Sequence, residues 1–176
     1  MTHTLLAVDP GKTHAGVAFF CNRNLVSAQL ITAASPFEVA RHVEMWVWLL
    51  RDKLPKGTIT SSGKLNVLVT EGQQIYPGVR AQNPNDLLPL AYVCGAVQAR
   101  IDAFDRLMPF PREWKGSVPK EVFTRRILQR LDHDALKIIS GLKCPAAKKH
   151  NVIDAVGLGL WGLGVAPEKE GEHDVH

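Results

Sequence analysis

Disulfide and thiolate-metal chemistry have little to work with in this chain. Only three cysteines (Cys21, Cys94, Cys144) occur among 176 residues, odd in number, widely separated and without a Cys-x-x-Cys pair. This excludes a disulfide scaffold and argues against a zinc site; the pattern is that of reduced structural thiols. No apolar run reaches the ~18 residues of a membrane span. The opening Met-Thr-His-Thr-Leu-Leu-Ala-Val-Asp lacks a basic segment and meets a charge too early for a signal peptide. No membrane association and a cytoplasmic location (bacterial, or a host cell's if phage-encoded) are expected. Internal repeats and dividing linkers are absent too. With 45% hydrophobic and 22% charged residues, the composition is that of one ordinary globular domain. That domain is expected over residues 1–167, with residues 168–176 forming a disordered acidic tail.

Charge is unevenly placed. Residues 106–149 hold eleven Lys and Arg against four Asp and Glu, whereas the first 105 residues are nearly balanced and residues 168–176 hold four acids and one lysine. A basic block on a balanced domain is the footprint of a polyanionic partner, or else a solvated surface.

Short apolar runs at residues 4–8, 15–20 and 25–31, separated by polar turns, predict three consecutive strands. Ser35-Pro36 supplies an N-cap and a first-turn proline, and apolar residues at helical spacing predict a helix to about residue 53. A fourth strand at 65–69, a helix at 85–104, a fifth strand at 106–110, a loop at 111–120 and helices at 120–131, 134–140 and 147–163 follow. This order implies an α/β fold with a mixed sheet and helices on both faces: the meander is antiparallel, and helical crossovers make the rest parallel.

Asp9 ends the first strand and Glu71 follows the fourth. If those strands are parallel neighbours, both carboxylates meet at the rim where such sheets bind ligands; singly, each is an ordinary turn residue. Asp154 lies in the apolar stretch Val152–Trp161, where a charged group must be paired, ligating or exposed. Three carboxylates together repel one another, and hard divalent cations, Mg²⁺ or Mn²⁺, relieve that repulsion. Two such ions ~4 Å apart form a clamp for attack on phosphodiesters.

Leu-Leu-Ala-Val-Asp-Pro-Gly-Lys-Thr-His-Ala-Gly-Val-Ala resembles the first hairpin of RuvC-type Holliday-junction resolvases in the RNase H-like superfamily. Val-Leu-Val-Thr-Glu-Gly resembles that family's fourth strand, and His-Asn-Val-Ile-Asp-Ala-Val-Gly-Leu-Gly its closing helix. Pro-Arg-Glu-Trp-Lys-Gly-Ser-Val-Pro-Lys is similar to phage-type members. The resemblance spans residues 4–163. It implies a five-stranded sheet of order 3-2-1-4-5 and a homodimeric endonuclease that cuts four-way DNA junctions. It also implies two Mg²⁺ ions per site, with Mn²⁺ as substitute, held by Asp9, Glu71 and Asp154. Three residues before Asp154, where the family usually carries Asp or His, stands Asn151, with His150 beside it. Helical spacing brings both toward Asp154. Asn151 can ligate through its amide oxygen; His150 can ligate, or contact the scissile phosphate when protonated. Imidazole is the stronger ligand, so His150 is the favoured functional residue.

Lys12, Arg80, Lys115, Arg125, Lys148 and Lys149 are candidate DNA contacts, and Tyr76 either stacks on an unpaired base or packs on the sheet edge. Trp114 is expected to be core or to pack against a helix. The helix at 85–104 is apolar over more than one face, so Leu88 and Val97 are candidate dimer contacts, a deeply buried helix being the competing reading. Other functions share parts of this pattern. A sugar-kinase or actin-type ATPase needs two such domains and several hundred residues, more than this chain has. A same-fold nuclease acting on flaps, other branched DNA or RNA stays open. A non-cleaving junction-binding protein is disfavoured by the three intact carboxylates.

Overall fold

The structure, a computed structural model, describes residues 2–54, 63–74 and 84–165. Tyr76, Arg80 and the acidic tail lie outside the described residues.

Strands β1 (Thr4–Asp9), β2 (His14–Cys21) and β3 (Asn24–Thr32) form an antiparallel meander. The β2–β3 turn is tight enough to put Asn22 and Arg23 at positive φ (49° and 72°). Helix α1 (Pro36–Arg51) then crosses to β4 (Leu65–Thr70), which pairs in parallel with β1, Leu5 opposite Val67 through Val8 opposite Thr70. Ser35 caps α1 by accepting the Glu38 N–H at 3.3 Å, and Pro36 occupies the first turn, as its sequence predicts. Helix α2 (Pro84–Arg100) leads to β5 (Ala103–Leu107), parallel to β4. Then come α3 (Pro111–Trp114), α4 (Lys120–Arg130), α5 (His133–Ser140), a 3₁₀ turn (Ala146–Lys148) and α6 (Lys149–Gly162). The sheet order is β3-β2-β1-β4-β5, as expected.

Two boundaries differ from the sequence reading. The helix expected to reach residue 104 stops at Arg100, and the fifth strand runs over Ala103–Leu107 instead of 106–110. β5 is an edge strand whose residues 104–106 are exposed, so no alternation of burial marks it. Pairing with β4 sets its place, with the Leu65 N–H donating to Asp102 O at 3.0 Å. The segment expected as loop contains the short α3.

Alternation along the strands divides the core in two. Leu5 and Ala7 of β1, with Val67 and Val69 of β4, face α4, α5 and α6. Leu6, Val8 and Leu68 face α1 and α2. Val97, expected at a dimer contact, is fully buried in this second layer. Its side chain belongs to the chain's own core and offers no outer surface, which corrects that expectation. Leu88 is 67% exposed. Among the described residues no helix is long and apolar enough to cross a membrane.

Close approach of α6 to the sheet depends on two glycines in particular. A Cβ on Gly16 of β2 would lie 1.9 Å from the Asn151 carbonyl oxygen, and one on Gly159 would lie 2.1 Å from the Phe20 ring. Gly164 differs from the other glycines near α6: it sits past the helix end at φ 72°, where the backbone turns.

Helix propensity alone favours Gly→Ala by about 1 kcal/mol, but overpacking a core costs about 1–3 kcal/mol or more. Phe20 is 1% exposed and cannot swing away. Gly159→Ala is therefore expected to lower the free energy of unfolding by roughly 1–2 kcal/mol. Gly95→Ala in α2, where a Cβ meets nothing within 4 Å, is expected to raise it by ~0.5–1 kcal/mol. Urea denaturation of the two variants checks the pair.

Candidate active site

The strand pairing that builds the sheet also brings the carboxylates together. Asp9 follows Leu5 and Ala7 in alternation, and Glu71 follows Val67 and Val69, so both fall on the α6 side of adjacent parallel strands. The Glu71 N–H donates to Val8 O at 3.1 Å, extending the ladder to the rim. Asp154 stands on α6 over the same strands, buried within an otherwise apolar helix.

Each of the three carboxyls holds its proton more tightly than an ordinary carboxyl. Burial is the largest cause in every case. Asp9, pushed up most, also feels the charges of Glu71 and Asp154. Opposing this are cations: Lys115 on all three, Lys120 on Asp9 and Asp154, and His150 on Asp154.

Lys115 is the nearest of these. Its Nζ lies 3.2 Å from Glu71 Oε2 and 4.0 Å from Asp154 Oδ2. The Trp114 indole N–H donates to the same Glu71 Oε2 at 3.0 Å. Trp114 is core, as expected, with its ring edge-on to Phe123 at 5.1 Å. Its role as donor to Glu71 was not expected. The signal available was its place beside Lys115 in a segment rich in turn residues; what hid it was distance, 43 positions along the chain from Glu71. Lys120 was likewise absent from the expected site residues, being one basic residue among many in its segment.

The remaining candidates are dispersed. Asn151 donates its amide N–H to His14 O at 3.5 Å, tying α6 to the start of β2. Lys12 is ion-paired with Asp86 at the start of α2. Arg125 is exposed on α4, and Lys148 and Lys149 are half-buried around the start of α6.

A divalent cation suits the chemistry of this donor set: three hard, buried carboxylates whose proton affinity burial raises. Among the described residues, no three His, Cys, Asp or Glu side chains converge closely enough to hold an ion as they stand. The Lys115 ammonium lies against two of the three carboxylates instead.

No family model matches this sequence, and no curated protein does. Solved structures do resemble it. Thermus thermophilus RuvC in complex with a Holliday junction substrate is 16% identical, with 94% of this chain and 98% of that chain covered and a TM-score of 0.55. A second Thermus thermophilus RuvC structure is 14% identical over 93% and 98% of the two chains, with a TM-score of 0.50. The likeness is one of fold: the five-stranded 3-2-1-4-5 sheet with its flanking helices is the RNase H-like fold of RuvC.

Carboxyls with raised proton affinity in the folded chain make stability fall as pH rises from about 4, their unfolded range, through their folded range. Asp9→Asn removes the most affected of them. In metal-free protein its melting temperature is expected to match wild type near pH 4 and to exceed it by ~2–4 °C at pH 8. Thermal melts at the two pH values check this; equal melting temperatures at pH 8 would contradict it.

Proposed function

We propose that the chain is a metal-dependent endonuclease that resolves four-way DNA junctions as a homodimer. The observation that carries this reading is the meeting of Asp9, Glu71 and Asp154 at one rim of the sheet. The fold around it is shared with a RuvC seen in complex with a Holliday junction substrate.

Asp9, Glu71 and Asp154 would hold two Mg²⁺ ions, or Mn²⁺ in their place, with His150 or Asn151 completing the site. Bound there, the ions supply charge stabilisation and nucleophile activation for phosphodiester hydrolysis. The protein's own contribution is placement. Burial of the carboxylates keeps competing water away and strengthens their pull on a cation. The Trp114 indole fixes which way the Glu71 carboxylate is turned. Arg125, Lys148 and Lys149, with Lys115 at the centre, provide positive charge for the DNA backbone. Lys12 joins them only by leaving Asp86.

The proposed dimer uses the outer face of α2. Leu88 and Tyr92 are exposed there, and Ala91, Gly95 and Ala99 continue the same stripe. A two-fold junction needs two sites related by two-fold symmetry, which a self-complementary helix face provides.

Cleavage of a synthetic four-way junction, a flap, a duplex and an RNA–DNA hybrid, with Mg²⁺ and with EDTA, tests the assignment. Junction cleavage abolished by EDTA is expected, while preference for the flap or hybrid would move the protein to another nuclease class. Asp9→Asn, Glu71→Gln and Asp154→Asn should each reduce cleavage by about 100-fold or more. Junction binding should stay within a few-fold, since phosphate contacts supply the affinity. Retained cleavage in any two of these variants rejects the assignment. Leu88→Glu should convert a dimer to a monomer in sedimentation; a wild-type protein already monomeric at micromolar concentration removes the dimer from the proposal.

A further inference from the structure

Lys115 occupies an unusual position for a DNA-contacting lysine. Its ammonium is turned inward onto the carboxylates, with its side chain 29% exposed against 12% for both Glu71 and Asp154. It also lies 4.7 Å from the centroid of the Trp114 ring, so an aromatic face supports the cation on one side and a carboxylate oxygen on the other. Trp114 is anchored in the core, but the chain leaves α3 directly after Lys115 through Gly116 at φ 64°. The anchor is rigid, and the lysine it carries is a long, flexible point charge that can turn outward.

A divalent ion bound to Glu71 would sit about 2.0–2.1 Å from a carboxylate oxygen. The ammonium already takes Glu71 Oε2, and the Trp114 indole takes it too. Two cations on one buried carboxylate repel each other strongly in such surroundings. Loading the site is therefore opposed by the ammonium for as long as Lys115 stays on Glu71. A phosphate arriving at the rim offers the ammonium an alternative anion, and the Trp114 N–H stays behind to keep the carboxylate oriented.

We propose that Lys115 is a built-in cation that holds Glu71 in the DNA-free protein and releases it when a DNA phosphate takes the ammonium, so that metal and DNA bind cooperatively. This rests on the metal-dependent reading above. Lys115 is then a positioning residue for the metal site as well as a DNA contact. By thermodynamic linkage, whatever factor DNA adds to metal affinity, metal adds to DNA affinity.

The test is Mn²⁺ binding followed by electron paramagnetic resonance on the full chain, with and without a non-hydrolysable four-way junction. Without DNA, Lys115→Met should bind Mn²⁺ at least about fivefold more tightly than wild type, and Lys115→Arg should resemble wild type. Adding the junction should tighten Mn²⁺ binding at least about fivefold in wild type and less in Lys115→Met. Lys115→Gln serves in place of Lys115→Met if the latter does not fold. Lys120→Met is the control for a general field effect, since Lys120 acts on Asp9 and Asp154 from outside ion-pair contact. Unchanged or weaker Mn²⁺ binding in Lys115→Met, or in Lys115→Gln where that takes its place, overturns the proposal, as does equal tightening in Lys120→Met. A wild type that binds Mn²⁺ as described but cuts no junction refutes the nuclease reading and leaves the role of Lys115 at the metal site standing.

Discussion

Parallel pairing of β1 with β4 is the constraint on which the rest of this molecule depends. Paired residues of the two strands are 62 positions apart in sequence, yet the register that sets Val8 opposite Thr70 puts Asp9 and Glu71 at the same rim and on the same side. A slip of one residue in either strand would send one carboxylate to the α1–α2 side. The register is held by apolar residues on both faces, since an odd slip would exchange the inward sets of Leu5, Ala7, Val67 and Val69 for those facing the other layer. The helix that completes the site obeys the same logic. Gly16 and Gly159 let α6 lie against β2 and so bring Asp154 over the rim.

Assembling three carboxylates in this way works against folding. Burial raises the proton affinity of each, repulsion adds to it for Asp9 and Glu71, and the charges of Lys115, Lys120 and His150 oppose it. Strained electrostatics of this kind are the usual mark of a functional site, because a packed core would dispense with them. Lys115 has a double aspect here. It relieves the site at rest, and it lies where a competing cation and a phosphate would both have to deal with it.

The two faces of the sheet serve different ends. The α6 face carries the carboxylates, with Lys115 against Glu71 and Asp154 and the charges of Lys120 and His150 acting on them. The α1–α2 face buries its inner side thoroughly but leaves Phe37, Trp48, Leu88 and Tyr92 exposed outside. Of these, Leu88 and Tyr92 lie on α2, whose outer face is the one assigned to the proposed dimer.

Much of this was legible in the linear chain because it is local. Strand alternation, the Ser35-Pro36 helix start and the carboxylates at strand ends each express short-range rules, and together they pointed to a mixed sheet and to Asp9, Glu71 and Asp154, while the sheet order came from the resemblance. Weak local patterns misled: exposed residues of edge strand β5 read as a continuation of α2, and Val97 could not be assigned to a buried or an outer face of a helix apolar on both. Only tertiary structure decided that Trp114 and Lys115 converge on one oxygen of Glu71. It likewise decided that Asn151 is tied to His14 and that Lys12 is held by Asp86. Those contacts join residues far apart in sequence, and side-chain partners at such separations depend on how layers pack, which no local periodicity records.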